Sequence, residues 1–249
     1  MKAGHGAARR LRAVPYATRY VVNAYPALYM PLARVRHRHR DDWAVGRETE
    51  LVIEGFGRSG STFAVDAFEL AQRRPVRLAH HTHAAAQVIA AARMGVPILL
   101  IVRRPEEVVP SHMARRGIPA GPALRAWVRY HERVLPHNDG LVAVPFETLT
   151  TDFGSAIREL NARFGTDFDE FEHTRENEAR VFELIEQRNR GRFGSGSEQG
   201  ARSLARPTPE REAQKVALRA EYESERLARL RARASSIYGA LFPAPPGPS

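Results

Sequence analysis

The feature that most constrains this chain of 249 residues is a turn rich in glycine and serine, residues 55–62. It follows a short apolar run, residues 50–54, and opens a segment of helical character. A strand, a glycine turn and a helix start in that order build an anion cradle, because glycines allow close approach and the first helical N–H groups favour negative charge. One guanidinium and three hydroxyls add donors, those of Arg58, Ser59, Ser61 and Thr62. The sequence therefore predicts a phosphate-binding loop.

Two common phosphate-loop patterns fit this turn poorly. The nucleoside-triphosphatase pattern G-x-x-x-x-G-K-[ST] fails at Ser61, which stands where a lysine should reach the terminal phosphates. The dinucleotide pattern G-x-G-x-x-G is present at Gly55, Gly57 and Gly60. In that pattern an acidic residue about 20 positions further on binds the ribose, and residues 73–80 contain no acidic residue. A glycine-rich turn that binds no ligand is the remaining alternative.

A third pattern, [KR]-S-G-[ST]-T after a strand, fits residues 58–62 at every position. In this respect the chain resembles the sulfotransferases, in which the pattern is the 5′-phosphosulfate loop. The resemblance implies that the sulfuryl donor is held by Gly57, Arg58, Ser59, Gly60, Ser61 and Thr62.

A second motif follows the apolar, β-branched run of residues 98–102, which is typical of a buried strand. Pro105 and the glutamates behind it indicate a helix start, so Arg103 ends the strand and Ser111 lies about two turns into the helix. This R-x-P-x-x-x-x-x-S arrangement resembles that of sulfotransferases that use 3′-phosphoadenylylsulfate (PAPS). The resemblance implies that Arg103 and Ser111 hold the 3′-phosphate. The alternative is an arginine paired with a nearby glutamate and a serine on a solvated helix face.

The resemblance also implies catalytic roles. Arg58 would stabilise charge on the leaving phosphate, where most relatives carry lysine; arginine supplies the charge but no proton. Residues 76–79 predict a second strand, and the Thr82-His83 pair behind it matches a Thr-His pair whose histidine is the general base of cytosolic relatives. His83 is therefore the predicted base, although His81 replaces the lysine that usually precedes the threonine.

Alternative roles for the side chains around this predicted base stay open. Some carbohydrate-modifying relatives use a glutamate as the base. One alternative assigns a purely structural role to His80, His81 and His83, and another makes them metal ligands. Three imidazoles are a small set of ligands for a metal, and no carboxylate that could add to them is close in sequence. No metal is expected. Asp66, early in the first helix, is a packing partner or a second candidate base.

Composition sets wider bounds. The chain has 38 Lys and Arg against 28 Asp and Glu, a formal charge of +10, which suits a polyanionic ligand, nucleic acid or an acidic membrane. There is no aromatic-studded basic strand, zinc-finger spacing or reading helix, so nucleic acid is not an expected partner. The absence of cysteine excludes disulfides and thiolate metal sites and is compatible with a reducing compartment.

The amino-terminal segment is basic at residues 1–14, apolar and aromatic at 16–32, and basic again at 34–40. The apolar stretch lacks a cleavage-site pattern and is broken by Arg19, Asn23 and two prolines, so neither a signal peptide nor a membrane span is expected. We expect a helix and loop packed on the domain itself. The alternative is an interfacial segment on an anionic bilayer.

The remaining chain is typical of an α/β layer. It predicts helices at residues 121–135 and 153–164, a strand at 141–144, a mobile loop at 188–209, a helical stretch at 210–238 and a disordered tail rich in proline. The loop is a connector, or a lid over bound nucleotide. Phe146-Glu147, Leu149 and Phe164-Gly165 resemble a further sulfotransferase pattern with a structural role.

The sequence as a whole predicts an α/β fold with a single P-loop-type domain, a central parallel sheet flanked by helices. Its expected parts are a basic amino-terminal segment (1–45), a sulfotransferase-like domain (46–242) and a disordered tail (243–249). The predicted function is transfer of a sulfuryl group from PAPS to a hydroxyl or amine acceptor, carbohydrate, lipid or other small molecule. A P-loop phosphotransferase or nucleotide kinase and a non-catalytic nucleotide-binding protein are the alternatives. The expected location is cytoplasmic, with peripheral membrane contact through the basic segment; the sequence leaves the oligomeric state and the acceptor open.

Overall fold

A computed structural model describes residues 16–36, 43–197, 200 and 208–242 of the chain. The basic residues 1–15 and the predicted disordered tail, residues 243–249, lie outside the described residues, as does much of the predicted loop at 188–209. The domain boundaries therefore stay predictions.

Four strands form the sheet: β1 (Leu51–Gly55), β2 (Leu78–His80), β3 (Ile98–Val102) and β4 (Val142–Pro145). The first half of the chain supplies helices α1 (Pro26–Arg36), α2 (Ser61–Ala71), α3 (Ala85–Met94), α4 (Pro105–Arg116) and α5 (Ala120–Val134). The second half supplies α6 (Phe146–Thr151), α7 (Phe153–Phe164), α8 (Arg175–Phe193), α9 (Pro209–Glu223) and α10 (Ala228–Leu241). Two 3₁₀ segments, Leu135–Gly140 and Glu225–Leu227, complete these elements.

The sheet is parallel throughout and has the order β2-β1-β3-β4. The predicted α/β fold with a central parallel sheet flanked by helices is therefore confirmed. From β1 the chain continues to β2, which pairs with one edge of β1. It then returns past β1 to β3 and β4, which lie beyond the other edge of β1. The loops behind β1 and β3 consequently leave the sheet side by side at its carboxyl edge, which is where open α/β sheets bind ligands.

Each face of the sheet has its own apolar core because side chains alternate along a strand. Val52, Ile98 and Leu100 face the core formed with α3, α4 and α5, whereas Ile53 and Leu99 face the core formed with α2, α7 and α8. β1 and β3 are buried on both faces, which the continuous apolar run of residues 98–102 predicts for β3. The two strands that carry the predicted loops are also the two central strands of the sheet.

The described part of the amino-terminal segment, residues 16–36, packs on the domain. Residues 16–22 are helical, and α1 follows after a short turn. Tyr16 and Tyr20 are buried against Phe56 and His112, behind the glycine turn. Within the described residues, no helix combines the length and the apolar character that crossing a bilayer requires.

The predicted loop at residues 188–209 is wrong in its first part. Residues 188–193 continue α8, and Arg190, Gly191 and Arg192 form its last turn. The helix ends at Gly194, which has φ +78°, so this glycine terminates a helix that extends into the predicted loop. The predicted helical stretch at 210–238 is present as α9 and α10, separated by a break at Ser224.

Candidate functional site

The turn between β1 and α2 requires glycine at its two ends. A Cβ on Gly55 would lie 2.5 Å from the carbonyl oxygen of Ile101, so only glycine lets β1 pass this close to β3. Gly60 has φ +96°, and a Cβ there would lie 2.7 Å from Leu149. Arg58 is also left-handed, with φ 78°. A left-handed backbone conformation is unfavourable for a residue with a Cβ. Arg58 keeps this conformation because the surrounding loop restrains it.

The hydroxyls of this turn fit an anion. Ser59 and Ser61 are buried, and their Oγ atoms have no hydrogen-bond partner in the part of the chain that the structure describes. Buried hydroxyls are normally satisfied, so two orphans beside a helix start mark a place for an acceptor ligand. Thr62 differs, because its Oγ1 lies 3.1 Å from His81 Nε2 and is already engaged.

The two predicted motifs meet. Arg58 Nε donates a hydrogen bond of 3.2 Å to Ser111 Oγ, across 53 positions of sequence. The guanidinium of Arg103 lies 4.0 Å from the ring centroid of Phe146. That ring is in turn 3.0 Å from the position of a Cβ on Gly60. Arg103 is therefore one aromatic ring away from the glycine turn.

The structure agrees with one of the two parts of the alternative interpretation of the second motif. Arg103 Nε also bonds Glu107 Oε2 at 2.9 Å, so the arginine does pair with a nearby glutamate. Ser111, however, is buried and not on a solvated face. The serine thus belongs to the interior of the site.

Arginines gather around Arg58. Burial lowers the pKa of Arg58 to about 10, and the charges of Arg211, Arg115 and Arg103 act in the same direction. At neutral pH the guanidinium remains protonated, so like charges face one another here. An anion bound among them would relieve this repulsion.

A buried carboxylate organises the histidine side of the site. Glu54, in β1, is fully buried and accepts hydrogen bonds from the backbone N–H groups of Thr82, at 2.7 Å, and His83, at 3.1 Å. It also accepts from the Thr82 hydroxyl, from Gln87 Nε2 and from the N–H of Gly55. Burial raises the pKa of Glu54 to about 7, although these five donors favour the charged form. Glu54 thereby ties the loop after β2 to the strand that carries the glycine turn.

His83 lies at the start of that turn. Its Nδ1 lies 2.9 Å from the carbonyl oxygen of Gly55, which can only accept, so Nδ1 carries the proton and Nε2 is the basic nitrogen. Burial lowers the pKa of His83 to about 4, and the nearby positive charges of Arg19, Arg116 and Arg58 act in the same direction. The imidazole is therefore neutral at pH 7, as a base must be.

The neighbouring histidines bond to one another. The Nδ1 atoms of His81 and His80 are within hydrogen-bond distance, and His81 reaches Thr62 through its other nitrogen. No group of three metal-ligating side chains converges anywhere in the described ranges. The expectation that no metal is needed stays a prediction.

Asp66 is a packing partner, which is one of its two expected roles. It is fully buried in α2 and bonds Arg188 of α8, which also holds Glu69 at 2.7 Å. Burial raises the pKa of Asp66 to about 6 despite this partner. The pair fastens α8 to the helix that begins at the glycine turn.

Sequence reasoning missed two residues of this site. Glu54 has a signal in the sequence, since it is an acid next to a glycine turn at the end of an otherwise apolar strand. Arg211 has none, because α9 comes more than 100 residues after Arg58 and only the packing of α9 on α4 brings it near.

The chain has matches among solved structures. No family model matches it, and a search of curated proteins found no match. Among the solved structures that match is the crystal structure of mouse sulfotransferase SULT7A1 complexed with PAP. The match has a TM-score of 0.41 and 14% identity, and covers 77% of this chain and 91% of that chain. No conclusion about the fold or the activity of this chain is drawn from a similarity at this level.

Proposed function

We propose that the protein is a sulfotransferase that moves a sulfuryl group from PAPS to a hydroxyl or amine acceptor. The hydrogen bond between Arg58 and Ser111 is the observation that supports this most, because the two motifs that resemble the family's phosphate loops are in direct contact through it. The two buried serine hydroxyls and the gathered arginines suit a ligand with phosphate groups at both ends.

The nucleotide would be held in two parts. Gly57, Ser59, Gly60 and Ser61 form the cradle for the 5′ end, together with Arg58. Thr62 contributes its backbone N–H in the first turn of α2, since its hydroxyl bonds His81. Arg103 and Ser111 hold the 3′-phosphate. When bound, PAPS supplies a sulfuryl group on a phosphate leaving group.

The protein's own groups do the rest. His83 takes the proton of the acceptor through Nε2, since Nδ1 is committed to the Gly55 carbonyl. The acceptor oxygen or nitrogen then bonds to sulfur as the bond from sulfur to the bridging phosphate oxygen breaks. Arg58 stabilises the negative charge that develops on that bridging oxygen. A neutral His83 and a charged Arg58 are the protonation states that this division of roles requires.

The test is transfer of labelled sulfuryl from PAPS to a panel of glycans, glycolipids and phenols. Wild type is expected to label at least one acceptor, and His83→Ala to slow the transfer about 100-fold or more. His137→Ala, a histidine in the Leu135–Gly140 segment, is the matched control and should retain the wild-type rate. Equal rates for His83→Ala and wild type would contradict the role of His83. Phosphoryl transfer from ATP and magnesium, with none from PAPS, would favour the phosphotransferase alternative.

A further inference from the structure

Most of the large exposed hydrophobic side chains of the described residues fall in one short stretch of the sequence. Among the described residues seven large hydrophobic side chains are exposed, and five of them lie between positions 21 and 35. They are Val21, Tyr25, Leu28, Leu32 and Val35, which we call the amino-terminal stripe. Scattered exposed hydrophobics are ordinary, whereas several of them within 15 positions of sequence call for an explanation.

Helix geometry puts three of these residues on one face. Leu28, Leu32 and Val35 are spaced four and three positions apart in α1, so they line one side of it. Met30 and Ala33 lie on the opposite side and are buried against the domain, where α1 packs on α3. Helix α1 therefore has apolar side chains on two opposite sides. One side packs against the domain and the other is exposed to solvent.

In sequence, the segment that contains the stripe carries charge of a single sign up to position 40, and Asp41 and Asp42 follow it. Nine of the 38 Lys and Arg residues stand in positions 1–40, and none of the 28 Asp and Glu residues does. Nine of the ten net positive charges thus belong to this segment, and the rest of the chain is close to neutral. Within the described part, Arg19 and Arg34 are exposed, and the exposed Arg133 of α5 lies 4.8 Å from the ring centroid of Tyr25.

We propose that the amino-terminal stripe docks on an anionic lipid bilayer and holds the protein at the membrane surface. An apolar stripe bordered by arginines matches a surface with acyl chains beneath negative headgroups, and tyrosine is suited to the boundary between them. A partner lacking either the apolar layer or the negative charge would match only half of this surface. The inference does not depend on the proposed sulfuryl transfer.

Co-sedimentation with vesicles tests the proposal. Full-length protein is expected to bind phosphatidylcholine vesicles that contain about 30 mol% phosphatidylserine, to bind pure phosphatidylcholine more weakly, and to be released by salt. The triple variant Leu28→Ser, Leu32→Ser, Val35→Ser should lose roughly tenfold or more of its vesicle affinity, because the apolar contact is gone. The three side chains are solvent-exposed, and an unchanged melting temperature would show that the variant folds.

The matched control is the double variant Met94→Ser, Val216→Ser, which removes the two exposed hydrophobics outside the stripe among the described residues. It should bind vesicles as wild type does. Wild type that ignores anionic vesicles, or a triple variant that binds them like the control, would overturn the proposal. So would a dimer seen by light scattering that the triple variant dissociates without any change in vesicle binding, since the stripe would then cover a second copy of the chain.

Discussion

At the scale of single residues, Glu54 shows how much one buried group does here. Its two carboxylate oxygens accept five hydrogen bonds, from β1, the loop after β2 and α3. His81 and His83 in that loop have left-handed backbone, with φ 60° and 51°. Because such conformations are unfavourable for histidine, the hydrogen bonds to Glu54 are what hold the proposed base in position.

Glu54→Gln should therefore reduce stability. One acceptor oxygen becomes an NH₂ group that faces N–H donors, which leaves buried donors unsatisfied and costs about 2–4 kcal/mol. Glu159→Gln, at an exposed position of α7, is the control and should cost less than about 0.5 kcal/mol. Urea unfolding at pH 8 measures both variants. Similar losses in the two would mean that the carboxylate network does not hold this loop.

At the scale of elements, the turn between β1 and α2 is fixed by contacts with distant parts of the chain. Gly60 begins α2 in a left-handed conformation and touches Phe146 and Leu149 of α6. Gly165 ends α7 with a similar φ of +67°, but nothing lies within 4 Å of its Cβ position. The two glycines thus share a backbone requirement and differ in their surroundings.

Gly60→Ala should be the more damaging of two alanine substitutions. Gly165→Ala suffers only from the left-handed backbone, about 1 kcal/mol, whereas Gly60→Ala adds a clash of about 1–3 kcal/mol with Leu149. Free energies of unfolding from chemical denaturation give the comparison. Equal values, or a larger loss for Gly165→Ala, would show that the turn has room that the structure does not give it.

The bond between Asp66 and Arg188 makes the attachment of α8 dependent on pH. The folded pKa of Asp66, about 6, is above the ordinary value of 3.8, so its contribution to stability is present at low pH and lost as pH rises through about 6. Removing Arg188 raises the pKa of Asp66 further, because the positive charge that lowers it is gone. The protein then loses more stability at high pH. Because Arg188 is half exposed, solvent screening keeps the effect moderate.

Arg188→Met should accordingly cost about 1–2 kcal/mol at pH 8 and clearly less at pH 5, where Asp66 takes up a proton. Arg180→Met, an exposed arginine on the same helix, should cost little at either pH. Thermal or urea unfolding at the two pH values measures this. A loss for Arg188→Met that is the same at both would show that Asp66 is not the group that titrates.

Elements with strong periodic signals could be predicted from the sequence. The buried strands and the helix at 153–164 follow from apolar runs and helical spacing, which depend on neighbours along the chain. The glycine turn followed from residue types alone. Arg211 and the end of α8 could not be predicted in this way, because tertiary packing decides them and the local glycines indicated a loop.

At the scale of the whole molecule, the strand order determines the site. In the order β2-β1-β3-β4, the strand after β1 is added at one edge of β1 and the later strands at its other edge. The loops that follow β1 and β3 therefore lie next to each other at the carboxyl end of the sheet. Arg58 and Ser111 meet there because α2 and α4 both begin at that edge. The central claim is that these two loops hold the two phosphate ends of one adenosine nucleotide.

Calorimetric titration with 3′,5′-bisphosphoadenosine and with AMP tests this claim most directly, because the two ligands differ in the 3′-phosphate alone. Wild type should bind the bisphosphate about tenfold more tightly or better. Arg103→Met should remove most of that preference, whereas the control Arg104→Met, next to it and paired with Glu147, should keep it. Equal affinity of wild type for the two nucleotides, or binding of ATP with magnesium alone, would contradict the account.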